Sequence, residues 1–169
     1  MPTIRMSADG RKNYLDLAQH YANIHSGCNK VAVGSVITQG SAQNNDVRVI
    51  AMGANRCLPN LCHYRGCYRI EKYGDDSKNH RNPEDCRAIH SEVDAICSAA
   101  SLGISTKGAT IYVTRYPCEA CARALITAGI KEVYYGGTAR ISDQTADLFD
   151  RYNITCVFVE DWKEDNSDR

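Results

Sequence analysis

The chain has 169 residues, with 20 basic against 20 acidic side chains and nine cysteines. That length suits a single domain able to bury a real hydrophobic core. Balanced charge with no basic block lacks the electrostatic footprint of a polynucleotide binder, so a small substrate is expected. The opening stretch, MPTIRMSADG, has no apolar signal core, and no apolar run reaches the about 18 to 20 residues of a bilayer span. The expectation is a cytoplasmic protein with no membrane partner. A cytosolic chain keeps thiols reduced, so an odd number of clustered cysteines reads as metal ligands before disulfides.

Taken in order, Tyr14, Leu17, Ala18, Tyr21 and Ile24 recur at helical spacing and predict an amphipathic helix over 11–25, ended by Gly27. Residues 31–38, β-branched and apolar, predict a buried strand; 39–46 is a polar turn and 47–54 the return strand of a hairpin. From Arg56 to Arg87 no period is sustained. A structureless connection of that length needs a function or a pin, and Cys57, Cys62, Cys67 and Cys86 supply candidates, with His63 and His80 in reserve.

His90 opens a helix over 90–102, with Val93, Ala95, Ile96, Ala99 and Ala100 as its apolar contacts and Gly103 as its stop. Strands are expected over 109–114, 132–136 and 155–160, with helices over 118–128 and 143–152 between them. The charged tail, 161–169, is expected to fray, except that Trp162 packs back. A hairpin followed by alternating strands and helices implies an α/β fold, a mixed sheet of about five strands covered on both faces.

Two clusters carry chemistry: His90-Ser91-Glu92 and Pro117-Cys118-Glu119-Ala120-Cys121. Zn²⁺ favours tetrahedral thiolate and imidazole ligation, and three protein ligands leave a fourth position for water. His90, Cys118 and Cys121 are the expected ligands, with Glu92 outside the ligand set as proton carrier. A lone Cys-x-x-Cys would read equally well as a structural metal or two packed thiols. The full pattern, His-x-Glu followed by Pro-Cys-x-x-Cys, is the signature of zinc nucleobase deaminases. Both clusters fall at predicted helix N-termini, where unpaired amides and the macrodipole favour thiolate.

With those residues in place, the chain resembles the cytidine deaminase superfamily, and within it the deoxycytidylate (dCMP) deaminases. The likeness runs over about 14–159. It is strongest in His-Ser-Glu-Val-Asp-Ala-Ile (90–96) and in 109–135, and weaker in Val33-Gly-Ser-Val-Ile37, Gly53-Ala-Asn55 and Leu61-Cys-His-Tyr-Arg-Gly-Cys67. The cysteine-bearing insertion at 56–87 looks like the dCMP branch. Two departures stand out. Ser91 occupies a position that is usually alanine, and Gly53-Ala54-Asn55-Arg56 stands where the family often reads Gly-Tyr-Asn-Gly, a segment tied to nucleotide regulation.

The resemblance implies a three-layer α/β/α fold and one zinc-dependent deaminase domain over 1–169. It implies hydrolysis of dCMP to dUMP and ammonia by a zinc-activated water, supplying dUMP for thymidylate synthesis. Glu92 would move protons to N3 and to the leaving amine. Substrate contacts are expected from Asn55 (sugar), Tyr116 (base), Arg115 or Arg56 (phosphate) and the backbone side of Ser91. A second, structural zinc is expected on Cys28, Cys62, Cys67 and Cys86, or on three of these with His63 or His80; Cys97 and Cys156 read as small buried hydrophobes. Also implied are a homohexamer and regulation by dCTP and dTTP, with Mg²⁺ accompanying the triphosphate. The same chemistry would serve dCTP, cytidine or a tRNA adenosine, and a non-catalytic zinc module is the alternative of another class.

Overall fold

A computed structural model of the chain describes residues 8–28, 30–40, 46–58, 67–73, 86–137, 141–160 and 162. In chain order these form α1 (Ala8–His25), β1 (Gly34–Gln39), β2 (Arg48–Ala54), α2 (Tyr68–Tyr73), α3 (Ser91–Ser101), β3 (Thr110–Val113), α4 (Glu119–Thr127), β4 (Glu132–Tyr135), α5 (Asp143–Arg151) and β5 (Thr155–Phe158). The five strands make one sheet in the order β2-β1-β3-β4-β5. β1 runs antiparallel to both β2 and β3, while β3, β4 and β5 are mutually parallel. The expected mixed sheet is the one observed. The element missed by the sequence pattern is α2, six residues of which none is buried, and so without an apolar stripe to announce it.

Side chains alternate across the central strands and define two layers of core. Ile111, Val113, Val133 and Tyr135 point to one face, where they meet Ala95 and Ala99 of α3, Ala122 and Leu125 of α4, and Phe149 of α5. Tyr112 and Tyr134 point to the other and pack with Leu15 of α1 and with Trp162. The fold is therefore three-layered, α1 on one side of the sheet and α3, α4 and α5 on the other. Trp162 does pack back: its indole N–H donates to Asp16 Oδ1 at 2.8 Å, and its ring covers Gly136.

The buried face of α1 differs from the expected stripe. Leu15, Ala18 and Ala22 are buried, whereas Leu17 and Ile24 are exposed. The reason is close approach: a side chain at Gly34 would run into the backbone carbonyl of Ala18, so the helix meets the sheet through small residues. A search for large apolar side chains passes over such a contact. Ala100, expected as a contact of α3, is likewise exposed, as is Cys97.

The first strand also begins later than expected, at Gly34 rather than Val31. The Asn55 side chain intervenes: Oδ1 accepts from the amide of Val33 at 2.9 Å, and Nδ2 donates to the Val31 carbonyl at 2.8 Å. Gly53 is the counterpart of Gly34 on the other face. A Cβ there would strike the Ser91 carbonyl and the Ala95 amide, so glycine lets the N-terminal turn of α3 lie directly on β2.

Candidate metal and catalytic site

His90 and Cys118 are the N-cap residues of α3 and α4, both with extended backbone (φ −70°, ψ 150° and φ −75°, ψ 167°). An N-cap side chain ordinarily bonds an amide of its own first turn. Neither does so here. Instead His90 Nδ1 lies 3.5 Å from Cys118 Sγ and 3.4 Å from Cys121 Sγ. The ligand atoms of these three residues all fall within 4.8 Å of one another, the one such group among the described residues.

The set fits zinc. Donors bound at about 2.0–2.1 Å (N) and 2.3 Å (S) in a tetrahedron lie about 3.5 Å apart, the spacing found here. Electrostatics point the same way. Cys118 is pulled down to about 4, chiefly by its hydrogen bond to Cys121 and then by His90, against burial. It is therefore a thiolate, the ligating form. His90 is raised to about 10 by its bonds to Cys118 and Cys86, and Cys121 is raised by its bond to Cys118 and by burial. Zinc binding must displace these last two protons.

Glu92, one residue into α3, is 5% exposed and stands outside the ligand group. Burial pushes its carboxyl up, opposed first by the His90 charge. Ser91 Oγ donates to its Oε2 at 3.2 Å. His90, Glu92 and Cys118 line a cavity of about 730 Å³, within the range of small-ligand sites.

The other expected site residues divide. Asn55, Ser91, Arg115 and Tyr116 all line this cavity. Tyr116 is set edge-on to Tyr135, with ring centroids 4.8 Å apart, and burial raises its hydroxyl to about 12. Asn55 is largely committed to the chain itself, since its Oδ1 also accepts from Ser26 Oγ at 2.5 Å. Arg56 does not join them. Its guanidinium pairs with Asp94 at 3.0 Å and it is not part of the cavity wall, so in this structure it is engaged by a carboxylate rather than turned to the cavity. Arg69 of α2 and the start of α5 (Ser142, Asp143, Gln144) line the cavity without having been expected there. The sequence does carry an arginine in the insertion, but only the tertiary path of the insertion brings it to the cavity.

For the second metal site, Cys28, Cys67 and Cys86 line one small cavity of about 30 Å³, together with Cys57. Their thiols are not grouped at ligand spacing among the described residues. Cys57 donates to the Gly27 carbonyl at 3.3 Å, and Cys86 is bonded to the His90 ring, which lowers its pKa. Cys62, His63 and His80 lie outside the described residues.

A family model described as MafB19-like deaminase matches residues 10–166. The chain is 32% identical to ComE operon protein 2 of Bacillus subtilis (strain 168) over 149 residues, 87% of this chain and 70% of that protein. It is 32% identical to the deoxycytidylate deaminase of Saccharomyces cerevisiae over 157 residues, 91% of this chain but 45% of the yeast protein, and so spans less than half of that relative's length. Among solved structures, the dCMP deaminase of cyanophage S-TIM5, in complex with dCMP and dUMP, has the same fold. Its TM-score is 0.68 at 23% identity, covering 91% of this chain and 99% of that one.

Proposed function

The chain belongs to the MafB19-like deaminase family, and from that premise we propose that it hydrolyses dCMP to dUMP and ammonia. The observation that carries this reading is the His90, Cys118 and Cys121 group beside the buried Glu92, opening on a nucleotide-sized cavity. The yeast relative's activity and the ligands of the cyanophage structure support the choice of nucleotide.

Zinc held by the three ligands would supply a water with pKa lowered to about 7. The rest falls to the chain's own groups. Glu92 takes the proton released as water adds at C4 of cytosine and delivers it to N3. It then carries a proton to the exocyclic amine, which leaves as ammonia while the C4 carbonyl forms. Burial, by raising the Glu92 pKa, suits a group that must both accept and give a proton. The Tyr116 ring lies against the base, Arg115 and Arg69 meet the 5′-phosphate, and the remaining Nδ2 hydrogen of Asn55 meets the sugar.

The proposal extends to a second, structural zinc in the Cys28, Cys62, Cys67 and Cys86 region. It extends also to a homohexamer in the cytoplasm that responds to dCTP and dTTP, with Mg²⁺ accompanying the triphosphate. The zinc rests on the clustered cysteines and the location on the sequence pattern, while the hexamer and the effectors rest on the resemblance to deoxycytidylate deaminases. No helix among the described residues is long and apolar enough to cross a membrane.

The test is steady-state ammonia release from dCMP, dCTP, CMP, deoxycytidine and cytidine, each with and without added dCTP or dTTP. The highest kcat/KM on dCMP is expected. Preference for dCTP or for a free nucleoside would overturn the substrate, and no release from any would overturn the enzymatic reading.

A further inference from the structure

Behind Glu92 sits a pair of serines that the reaction as described leaves unused. Ser35 is in β1, the second strand of the sheet from its β2 edge, and Ser91 is the first residue of α3. Both are fully buried, at 0% exposure, and their hydroxyl oxygens are 2.7 Å apart. Ser91 Oγ is also 3.2 Å from Glu92 Oε2.

The direction of this chain follows from valence. A hydroxyl has one hydrogen to donate, and that of Ser91 is directed at Glu92 Oε2. Its oxygen therefore accepts from Ser35. The path runs Ser35 to Ser91 to Glu92, from a strand anchored between two neighbours to a carboxylate at the cavity. Ser35 has Gly53 and Val113 as its register partners, so the origin of the path does not move with α3. Buried hydroxyls persist where they are partnered, and here each serine has its partner in the other.

We propose that Ser91, held in place by Ser35, is a positioning residue for Glu92. It fixes one carboxylate oxygen, so that the other is presented to the reacting atoms without a search among side-chain rotamers. A proton carrier must sit within hydrogen-bond reach of the atoms it serves, and small misplacements are costly. The inference rests on Glu92 as proton carrier, and it concerns the Ser91 side chain, distinct from any backbone contact with the base.

The experiment compares Ser91→Ala, Ser35→Ala and the double variant, each with zinc content measured. The substrate is whichever of dCMP, dCTP, CMP, deoxycytidine and cytidine the wild type turns over best. Ser91→Ala should lower kcat about 10- to 100-fold, the worth of one hydrogen bond to a charged group, with KM within about twofold and zinc unchanged. Ser35→Ala should lower kcat by less, and its effect should vanish in the Ser91→Ala background, because the hydroxyl contact through which it acts on Glu92 is then gone. Wild-type kcat in Ser91→Ala, or a loss matched by lost zinc, overturns the proposal. So does an equal effect of Ser35→Ala in both backgrounds. Should Ser91→Ala fail to fold, Ser35→Ala decides alone: lower kcat at constant KM and zinc supports the relay, and unchanged kcat removes it. Turnover of a compound other than dCMP would fail the substrate reading while leaving this test intact, and no turnover at all would remove both.

Discussion

Asp94 Oδ2 accepts two hydrogen bonds, one from the Arg56 guanidinium at 3.0 Å and one from the Ala54 amide at 3.1 Å. Arg56 also exchanges backbone hydrogen bonds with Ile89, at 3.0 and 2.8 Å. The end of β2 is thereby fastened to both sides of His90, before and inside α3.

Arg56→Ala should therefore weaken the fold without touching phosphate recognition. The Asp94 side chain is 9% exposed and, among the described residues, keeps the Ala54 amide in the variant, while the Arg56 side chain is 46% exposed and its charge is partly screened. A loss of about 1–2 kcal/mol is expected, below the full cost of stranding a buried charge. Chemical denaturation measures it. The ratio of KM for deoxycytidine to KM for dCMP should stay at the wild-type value; a collapse of that ratio would return Arg56 to the substrate.

Glu92→Ala and Cys121→Ser should separate chemistry from metal. Glu92 stands outside the ligand group, so its loss should remove about 10²- to 10⁴-fold in kcat while zinc stays bound. Cys121 is buried and belongs to the proposed ligand group, and its loss should release the metal and activity together. Plasma emission spectroscopy on the purified variants reads the difference. Zinc missing from Glu92→Ala would contradict the division of roles.

What was legible in the sequence follows from how local each feature is. The grouping of His90, Cys118 and Cys121 could be read because zinc chemistry restricts residue type and spacing within two short segments, and the cap positions of His90 and Cys118 follow from the helix starts. The strands of the sheet were legible from β-branched runs. Arg56 was not, because its partner Asp94 is distant in sequence and only the register of β2 against α3 brings them together. The Ser35–Ser91 contact is hidden for the same reason. The small-residue face of α1, Ala18 and Ala22 over Gly34, was masked by the larger apolar residues Leu17 and Ile24, which the fold leaves exposed.

Stripped of metal, Cys118 and His90 together should contribute a level optimum in pH. Cys118 is lowered from its ordinary 9.0 to about 4, so its contribution is complete above about 9 and is lost as pH falls through about 4. His90 is raised from 6.5 to about 10, so its contribution is complete below about 6.5 and is lost as pH rises through about 10. Between about 6.5 and 9 the two slopes oppose each other and cancel. The melting temperature of reduced, chelator-treated protein should rise from pH 4 to 6.5, hold to about 9 and then fall. Zinc-loaded protein should lose stability chiefly on the acid side, where protons compete for the thiolates. A steady decline across pH 5 to 9 in the metal-free form would contradict the thiolate–imidazolium pair.

The two arginines in the cavity wall should differ in their effect on phosphate recognition. Arg115 lies two residues past the end of β3 and precedes Tyr116, Pro117 and Cys118, so its backbone is held by the sheet on one side and by the start of α4 on the other. Arg69 belongs to α2, none of whose residues is buried, so its backbone is the less firmly anchored of the two. A charge-assisted contact to phosphate is worth about 1.5–3 kcal/mol. Arg115→Ala should accordingly raise KM for dCMP about 10- to 100-fold, and Arg69→Ala by a smaller factor. Neither should alter kcat/KM for deoxycytidine, which has no phosphate to lose, and that comparison guards against a general distortion of the cavity. Equal losses on dCMP and deoxycytidine would assign both arginines to the shape of the wall, and a larger effect from Arg69 would make α2 the main phosphate-binding element.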